Sequence, residues 1–231
     1  MIRAITFDLD DTLWPILPVI IEAEKITKRW LIKNYPPLEI VLNEDVVLNI
    51  RKDLIYKDKT LINRLSELRT LSIKELAIRA GYQSNIASKI GKEAFLIFFE
   101  ARNKVTFYEG VLDVLTSLKD KYIIGSLTNG NADLKKVGLN HLFNFHFSSS
   151  DLNSSKPDPK HFEAAIKSTN LLPGEICHIG DHPLHDVIGA KNAGLHSIWF
   201  NPENKEWTAD KNKILQIKTW NELESIIESI T

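Results

Sequence analysis

Three carboxylates and a hydroxyl crowd into Phe7-Asp8-Leu9-Asp10-Asp11-Thr12-Leu13, directly after the apolar run Ile2 to Phe7. At this spacing one carboxylate can attack phosphorus or carbon and the next can move a proton, while a divalent cation beside them offsets their repulsion. The plain alternative is a solvated acidic turn after a strand. Three further segments carry complementary groups: Ser126-Leu127-Thr128-Asn129, Ser155-Lys156-Pro157-Asp158-Pro159 and Gly180-Asp181-His182-Pro183-Leu184-His185-Asp186. An ammonium at Lys156, on a loop that two prolines hold to a fixed path, balances negative charge where it accumulates. Taken singly, Thr128-Asn129 is an ordinary turn, Lys156 a surface lysine and Gly180-Asp181 a helix entry.

For these groups to meet, each must stand at the end of a strand in one sheet. Apolar runs at 2–7, 122–127, 145–148, 176–179 and 197–200 predict such strands, and all four motifs begin where a predicted strand stops. Helices are expected between them at 111–119, 133–137, 159–168 and 184–193, the last ended by Gly194. A further edge strand is expected at 214–217, then a helix opened by the capping box Thr219-Trp220-Asn221-Glu222. Alternating strands and helices predict a parallel sheet covered on both faces, with a site at the carboxyl ends of its strands.

Between Thr12 and Thr128 lie 115 residues, far more than one crossover needs. Helical apolar stripes fill the gap: Val19, Ile20, Ala23, Ile26, Thr27, Trp30 and Leu31, then Val46, Val47, Ile50 and Leu54, then Leu61, Ile62, Leu65 and Leu68. Ser72-Ile73-Lys74-Glu75 is expected to open another helix as a capping box, with Gly81 ending it, and a last helix over about 85–102 carries Ile86, Ile90, Ala94, Phe95 and Phe98. The stripes share no fixed period, so residues 16–104 are expected to form one inserted bundle, with 1–15 and 105–231 forming the sheet domain.

Composition excludes several classes. With 43% apolar and 26% charged residues the chain suits a folded globular protein. The 29 Lys plus Arg balance 30 Asp plus Glu, which supplies no broad attraction for nucleic acid or anionic membrane. The single Cys177 lies in an apolar run and is expected to be a buried, inert thiol, which favours a reducing compartment. Leu13 to Ile21, broken by Pro15 and Pro18, is too short to span a bilayer, and no basic leader precedes the first strand, so the cytoplasm is expected.

In order, spacing and residue types the four motifs resemble those of the haloacid dehalogenase superfamily, specifically its capped phosphatases. The resemblance is close over 1–14 and about 106–200, and extends to the intervening stretch only in its helical character. It implies a Rossmann-like α/β core with an inserted α-helical cap, and Mg2+-dependent hydrolysis of a small phosphomonoester of sugar, nucleotide or flavin type. Asp8 would be the nucleophile, forming an aspartyl-phosphate, and Asp10 would protonate the leaving alcohol and later take the proton of the attacking water. Thr128 and the Asn129 backbone would donate to phosphoryl oxygens, and Lys156 would lie against both Asp8 and the transferring group. Asp8, the Asp10 carbonyl and Asp181 would hold Mg2+, an ion that prefers oxygen ligands, with Thr12 in support and Asp186 orienting Lys156 or a metal-bound water. Zinc on His178, His182 and His185 is disfavoured, because His178 lies inside a strand and no cysteine accompanies them.

Where many relatives carry Pro before the Gly-Val that reopens the core, this chain has Glu109-Gly110-Val111, which bears on hinge stiffness. Trp14 would either stack on an aromatic substrate or pack at the hinge. A carbon-halogen hydrolase, for which Asp10 is unnecessary, a phosphomutase and a non-catalytic regulatory relative remain as alternatives. A monomer or homodimer acting on a small molecule, without nucleic-acid or membrane partners, is expected.

Overall fold

In the computed structural model, which describes residues 1–208 and 214–230, the chain forms two compact units. One comprises residues 1–15 together with 105–231, and the other residues 16–104. Among the described residues no helix is long and apolar enough to cross a membrane.

The larger unit is a six-stranded, wholly parallel sheet. Its strands are β1 (Ala4–Phe7), β2 (Ile123–Thr128), β3 (Phe145–Ser148), β4 (Ile176–Gly180), β5 (His196–Phe200) and β6 (Leu215–Ile217), in the spatial order β3-β2-β1-β4-β5-β6. This is the doubly wound order, in which the direction of winding reverses between β1 and β4 and leaves a crevice at their carboxyl ends. Residues Ala4–Phe7 are all buried, as a central strand covered on both faces requires. On one face Ala4 and Leu127 pack with Phe162 and Ala165 of the helix Lys160–Thr169 and with Ala190. On the other, Phe7 and Phe200 meet the Trp220 ring at 5.8 and 5.6 Å between centroids. The Thr219–Glu222 capping box forms as expected and precedes the helix Leu223–Ser229. Cys177 is buried in β4, and burial alone pushes its thiol up.

The smaller unit is helical: Ile16–Asn34, Leu38–Val41, Glu44–Lys57, Leu65–Arg79 and Ser84–Arg102. Its core gathers Leu31, Leu38, Ile50, Ile73, Leu76, Ala77, Ala87, Ile90 and Ala94.

Four local expectations are corrected. Ser72 does not open a helix: it lies within Leu65–Arg79, and its hydroxyl donates back to the Leu68 carbonyl at 2.6 Å, the alternative partner available to a mid-helix serine. Ile86 is exposed, because Ala87 and Ile90 take the inward positions of that helix. Residues 133–137 form a turn, held by Asp133 Oδ1 accepting from the Lys135 and Lys136 amides. The stretch after Gly180-Asp181 is a π-helical segment, Pro183–Ile188, followed by one α-turn, Gly189–Asn192. Such widened turns concentrate at functional sites.

Candidate active site

Asp8 is the first residue beyond β1, Thr128 ends β2, and Asp181 is the first residue beyond β4, so the parallel register alone delivers three of the four motifs to one edge. The Asp8 amide still donates to the Ile179 carbonyl at 2.9 Å, which carries β1 pairing one residue past the strand and steadies the carboxylate.

Lys156 supplies the fourth. Its loop is clamped by Asn129, whose Oδ1 accepts from the Lys156 amide at 2.7 Å and whose Nδ2 donates to the Lys156 carbonyl at 3.0 Å. The peptide bond from Lys156 to Pro157 is cis. The buried ammonium donates to Asp8 Oδ1 at 2.8 Å, to Asp186 Oδ1 at 2.6 Å and to the Leu127 carbonyl. All three of its hydrogens therefore have acceptors within the protein, and a phosphoryl oxygen reaching the ammonium would share or replace one of them. Burial opposes the charge, but Asp186 and Asp8 hold the ammonium protonated. The Asn129 side chain is likewise committed to the Lys156 loop.

Asp186 is anchored on both oxygens. Oδ1 accepts from Lys156 and from His178 Nε2 at 3.1 Å, and Oδ2 accepts from the His182 amide at 3.0 Å. Burial resists its ionisation, yet Lys156 and His178 hold it well below the usual carboxylate range. Since Asp186 can only accept, His178 carries its proton on Nε2, and Nδ1 accepts from the Thr6 hydroxyl at 2.9 Å. Burial pushes the His178 ring down, so it is a neutral strut. Gly180 makes this possible: a Cβ there would lie 2.3 Å from Asp186 Cγ, so only glycine lets the carboxylate lie against the end of β4.

Asp8, Asp181 and Asp186 present carboxylate oxygens within 4.8 Å of one another. Thr12 bridges two of them, its Oγ1 3.2 Å from Asp8 Oδ2 and 3.1 Å from Asp181 Oδ1, while accepting from the Asp181 amide at 3.1 Å. Three carboxylates face one ammonium. Burial raises Asp8 well above its ordinary value, with Lys156 opposing and Asp186 and Asp181 adding to the rise. Burial and the charges of Asp186 and Asp11 push Asp181 up to about 7. A divalent cation matches the two surplus negative charges and suits an all-oxygen donor set, so these residues fit such an ion. No histidine belongs to the group. His182 instead accepts the Leu184 and His185 amides on Nδ1, both at 3.1 Å, and stacks on the His185 ring at 3.7 Å.

The raised Asp181 has a measurable consequence. A carboxyl whose folded pKa exceeds its unfolded value costs nothing below the unfolded value and lowers stability as pH rises through the folded one. Metal-free protein is therefore expected to lose melting temperature between about pH 4 and pH 7 relative to an Asp181→Asn variant, and a divalent cation should close that gap. Parallel melting curves for the two proteins across that range would disprove it.

Asp10 lies apart from this group. Its Oδ1 accepts from Trp14 Nε1 at 2.9 Å, and its Oδ2 lies where a Cβ on Gly130 would meet it at 2.3 Å. Thr128 Oγ1 accepts from the Gly130 amide at 2.9 Å. Trp14 is fully buried, edge-on to Phe107 at 5.8 Å, so it offers no face to a substrate and the stacking expectation is corrected. Sequence reasoning missed three supports: Trp14 on Asp10, His178 on Asp186, and Trp199, whose Nε1 donates to the Asp181 carbonyl at 2.7 Å. A histidine inside an otherwise apolar strand was the one signal available, since a buried ring nitrogen needs a partner.

Comparison with known proteins gives the family. The family model for haloacid dehalogenase-like hydrolases matches residues 2–194. The chain is similar to the 5-amino-6-(5-phospho-D-ribitylamino)uracil phosphatase YigB of Escherichia coli (strain K12), at 31% identity over 88% of this chain and 85% of that one. It is also similar to the pyrimidine 5'-nucleotidase PynA of Streptococcus pneumoniae, at 28% identity over 99% and 98%. Among solved structures, one described as a 2-haloacid dehalogenase from Pseudomonas syringae pv. Tomato DC3000 superposes with a TM-score of 0.97 at 34% identity, covering 100% of both chains.

Proposed function

This chain belongs to the haloacid dehalogenase-like hydrolases, and we propose that it is a phosphatase that hydrolyses a small phosphomonoester through an aspartyl-phosphate on Asp8. One observation carries the assignment: two carboxylates only two residues apart are held by unlike partners. Asp8 is bound to Lys156 within the acidic group, and Asp10 is bound to Trp14 outside it. Such a pair can divide nucleophilic and proton-transfer work.

In the first half-reaction an Asp8 oxygen forms a bond to phosphorus as the bond from phosphorus to the ester oxygen breaks. The departing oxygen keeps that electron pair and takes a proton from Asp10. Water then attacks the same phosphorus and gives its proton to Asp10, which releases inorganic phosphate and restores the Asp8 carboxylate. Lys156 holds Asp8 oriented, and the Thr128 hydroxyl and Asn129 amide donate to phosphoryl oxygens. Mg2+, held by Asp8, Asp181 and the Asp10 carbonyl, would supply positive charge against the phosphoryl oxygens when bound. Thr12 and Asp186 fix Asp8, Asp181 and Lys156. None of these groups lies in residues 16–104, whose helices serve substrate choice.

The relatives named for 5-amino-6-(5-phospho-D-ribitylamino)uracil and for pyrimidine 5'-nucleotides support a phosphorylated ribose or ribityl compound as substrate class. A dehalogenase would have no need of a proton donor at Asp10. The test is a panel of sugar, nucleotide, flavin-type and amino-acid phosphates with Mg2+, alongside 2-chloropropionate. Phosphate release from at least one ester and no chloride release are expected; the reverse pattern would overturn the assignment. Asp10→Asn should separate the roles further, with a loss of roughly 10²- to 10⁴-fold on an alkyl phosphate and a smaller one on the first turnover of p-nitrophenyl phosphate, whose leaving group needs little protonation. Equal losses on both would refute the division of labour.

A further inference from the structure

We propose that Trp14 is a positioning residue for proton transfer: its indole N–H holds Asp10 Oδ1 and thereby presents Oδ2, on the Gly130 and Thr128 side, as the oxygen that gives and takes the proton. The inference rests on the phosphatase assignment above.

Two other buried indoles do without a carboxylate: Trp199 Nε1 donates to the Asp181 carbonyl, and Trp220 Nε1 has no hydrogen-bond partner among the described residues. Trp14, with no exposed surface, uses a carboxylate instead, at 2.9 Å. The chain is folded to bring this about. Asp11 takes a left-handed conformation at φ 61°, its amide donates to the Trp14 carbonyl at 2.8 Å, and Asp10 and Trp14 form a parallel bridge. These contacts turn the segment after Asp10 back on itself. The loop is then tied from behind, by Phe107 edge-on to the indole and by the Tyr108 amide donating to the Leu13 carbonyl at 3.0 Å.

Gly130 closes the other side. A Cβ at that residue would stand 2.3 Å from Asp10 Oδ2 and 3.2 Å from Thr128 Oγ1, so both oxygens border the space that a side chain there would fill. The carboxylate is thus confined between a ring and a backbone. Oδ1, which accepts the indole hydrogen, is the carbonyl-like oxygen of the protonated acid, and the transferable hydrogen sits on Oδ2 beside the hydroxyl assigned to the phosphoryl group. Orientation of this kind carries large rate factors, because a displacement of about 1 Å can cost on the order of 10²-fold.

The experiment replaces Trp14 with its benzothienyl analogue, which keeps the ring shape and has sulfur in place of the N–H, with Trp14→Phe in parallel. Single-turnover rates and KM are measured on an alkyl phosphate and on p-nitrophenyl phosphate with Mg2+. The analogue is expected to lose on the order of 10²-fold in the alkyl rate, with KM and the p-nitrophenolate rate unchanged, and to accumulate phosphoenzyme because hydrolysis of the intermediate also uses Asp10. Equal losses on the two esters would make Trp14 a packing residue only and overturn the inference, as would no loss on either. A wild type active on both esters beside such an analogue leaves the phosphatase assignment standing, whereas a wild type inert on both removes the assignment and the inference with it.

Discussion

Asp8→Asn is expected to reduce turnover by roughly 10⁴- to 10⁶-fold, the scale of loss when a covalent nucleophile is deleted. An amide oxygen in place of the carboxylate cannot form the acyl phosphate, so mass spectrometry of quenched protein should find no phosphate adduct, whatever the leaving group. The Asp10→Asn protein, given p-nitrophenyl phosphate, should carry one. Unfolding does not offer a competing explanation. Burial first, then Asp186 and Asp181, raise the Asp8 carboxyl against the opposing charge of Lys156, and Lys156 keeps Asp186 and the Leu127 carbonyl as acceptors when the Asp8 charge is removed. The variant should therefore melt at or above the wild-type temperature. A phosphate adduct on Asp8→Asn protein, or activity within tenfold of wild type, would remove Asp8 from its assigned role.

Removal of divalent metal should have the next largest effect. Asp8, Asp181 and Asp186 crowd their oxygens within 4.8 Å against a single ammonium that is already fully engaged. Without a cation, burial and mutual repulsion favour protonated forms of Asp8 and Asp181, and a protonated Asp8 is not a nucleophile. Chelation is expected to cost several kcal/mol of barrier, on the order of 10³-fold in rate, with Mg2+ restoring it. Loss of metal and a fall in pH should act together, because both protonate the same carboxylates. Full turnover after exhaustive chelation would sink the assignment of these residues to a metal.

Much of the site was legible because its signals are local. A short apolar run followed by clustered acids, or by Gly-Asp, marks a strand end whatever surrounds it, and a parallel sheet then gathers all such ends on one edge. Helix faces were legible for the same reason: Ala23, Thr27 and Leu31 are buried as their spacing implies. The errors arose where a local pattern had more than one outcome. Ser72 followed by Glu75 satisfies a capping box, but the same serine can bond back to the Leu68 carbonyl, and continuous packing from Leu68 to Ala77 chose the longer helix. At Asp133 a side-chain cap satisfied the amides that a helix would have used, and a turn sufficed.

From the sequence, Asp8, Thr128 and Asp181 are legible as groups at strand ends, while Asp10, Lys156 and Asp186 were singled out by the resemblance of their motifs. Only the tertiary structure decided how each is held. Lys156 gives all its hydrogens to acceptors that lie 148 residues before it, 29 before it and 30 after it. Asp186 is braced by His178, which Thr6 on the neighbouring strand holds in turn, and Asp10 owes its confinement to a tryptophan and to a glycine of another loop. Periodicity reports which face of an element is apolar, because burial is a property of one element at a time. A hydrogen bond is a property of a pair, set by distance and angle across the fold, and no spacing along one chain encodes it.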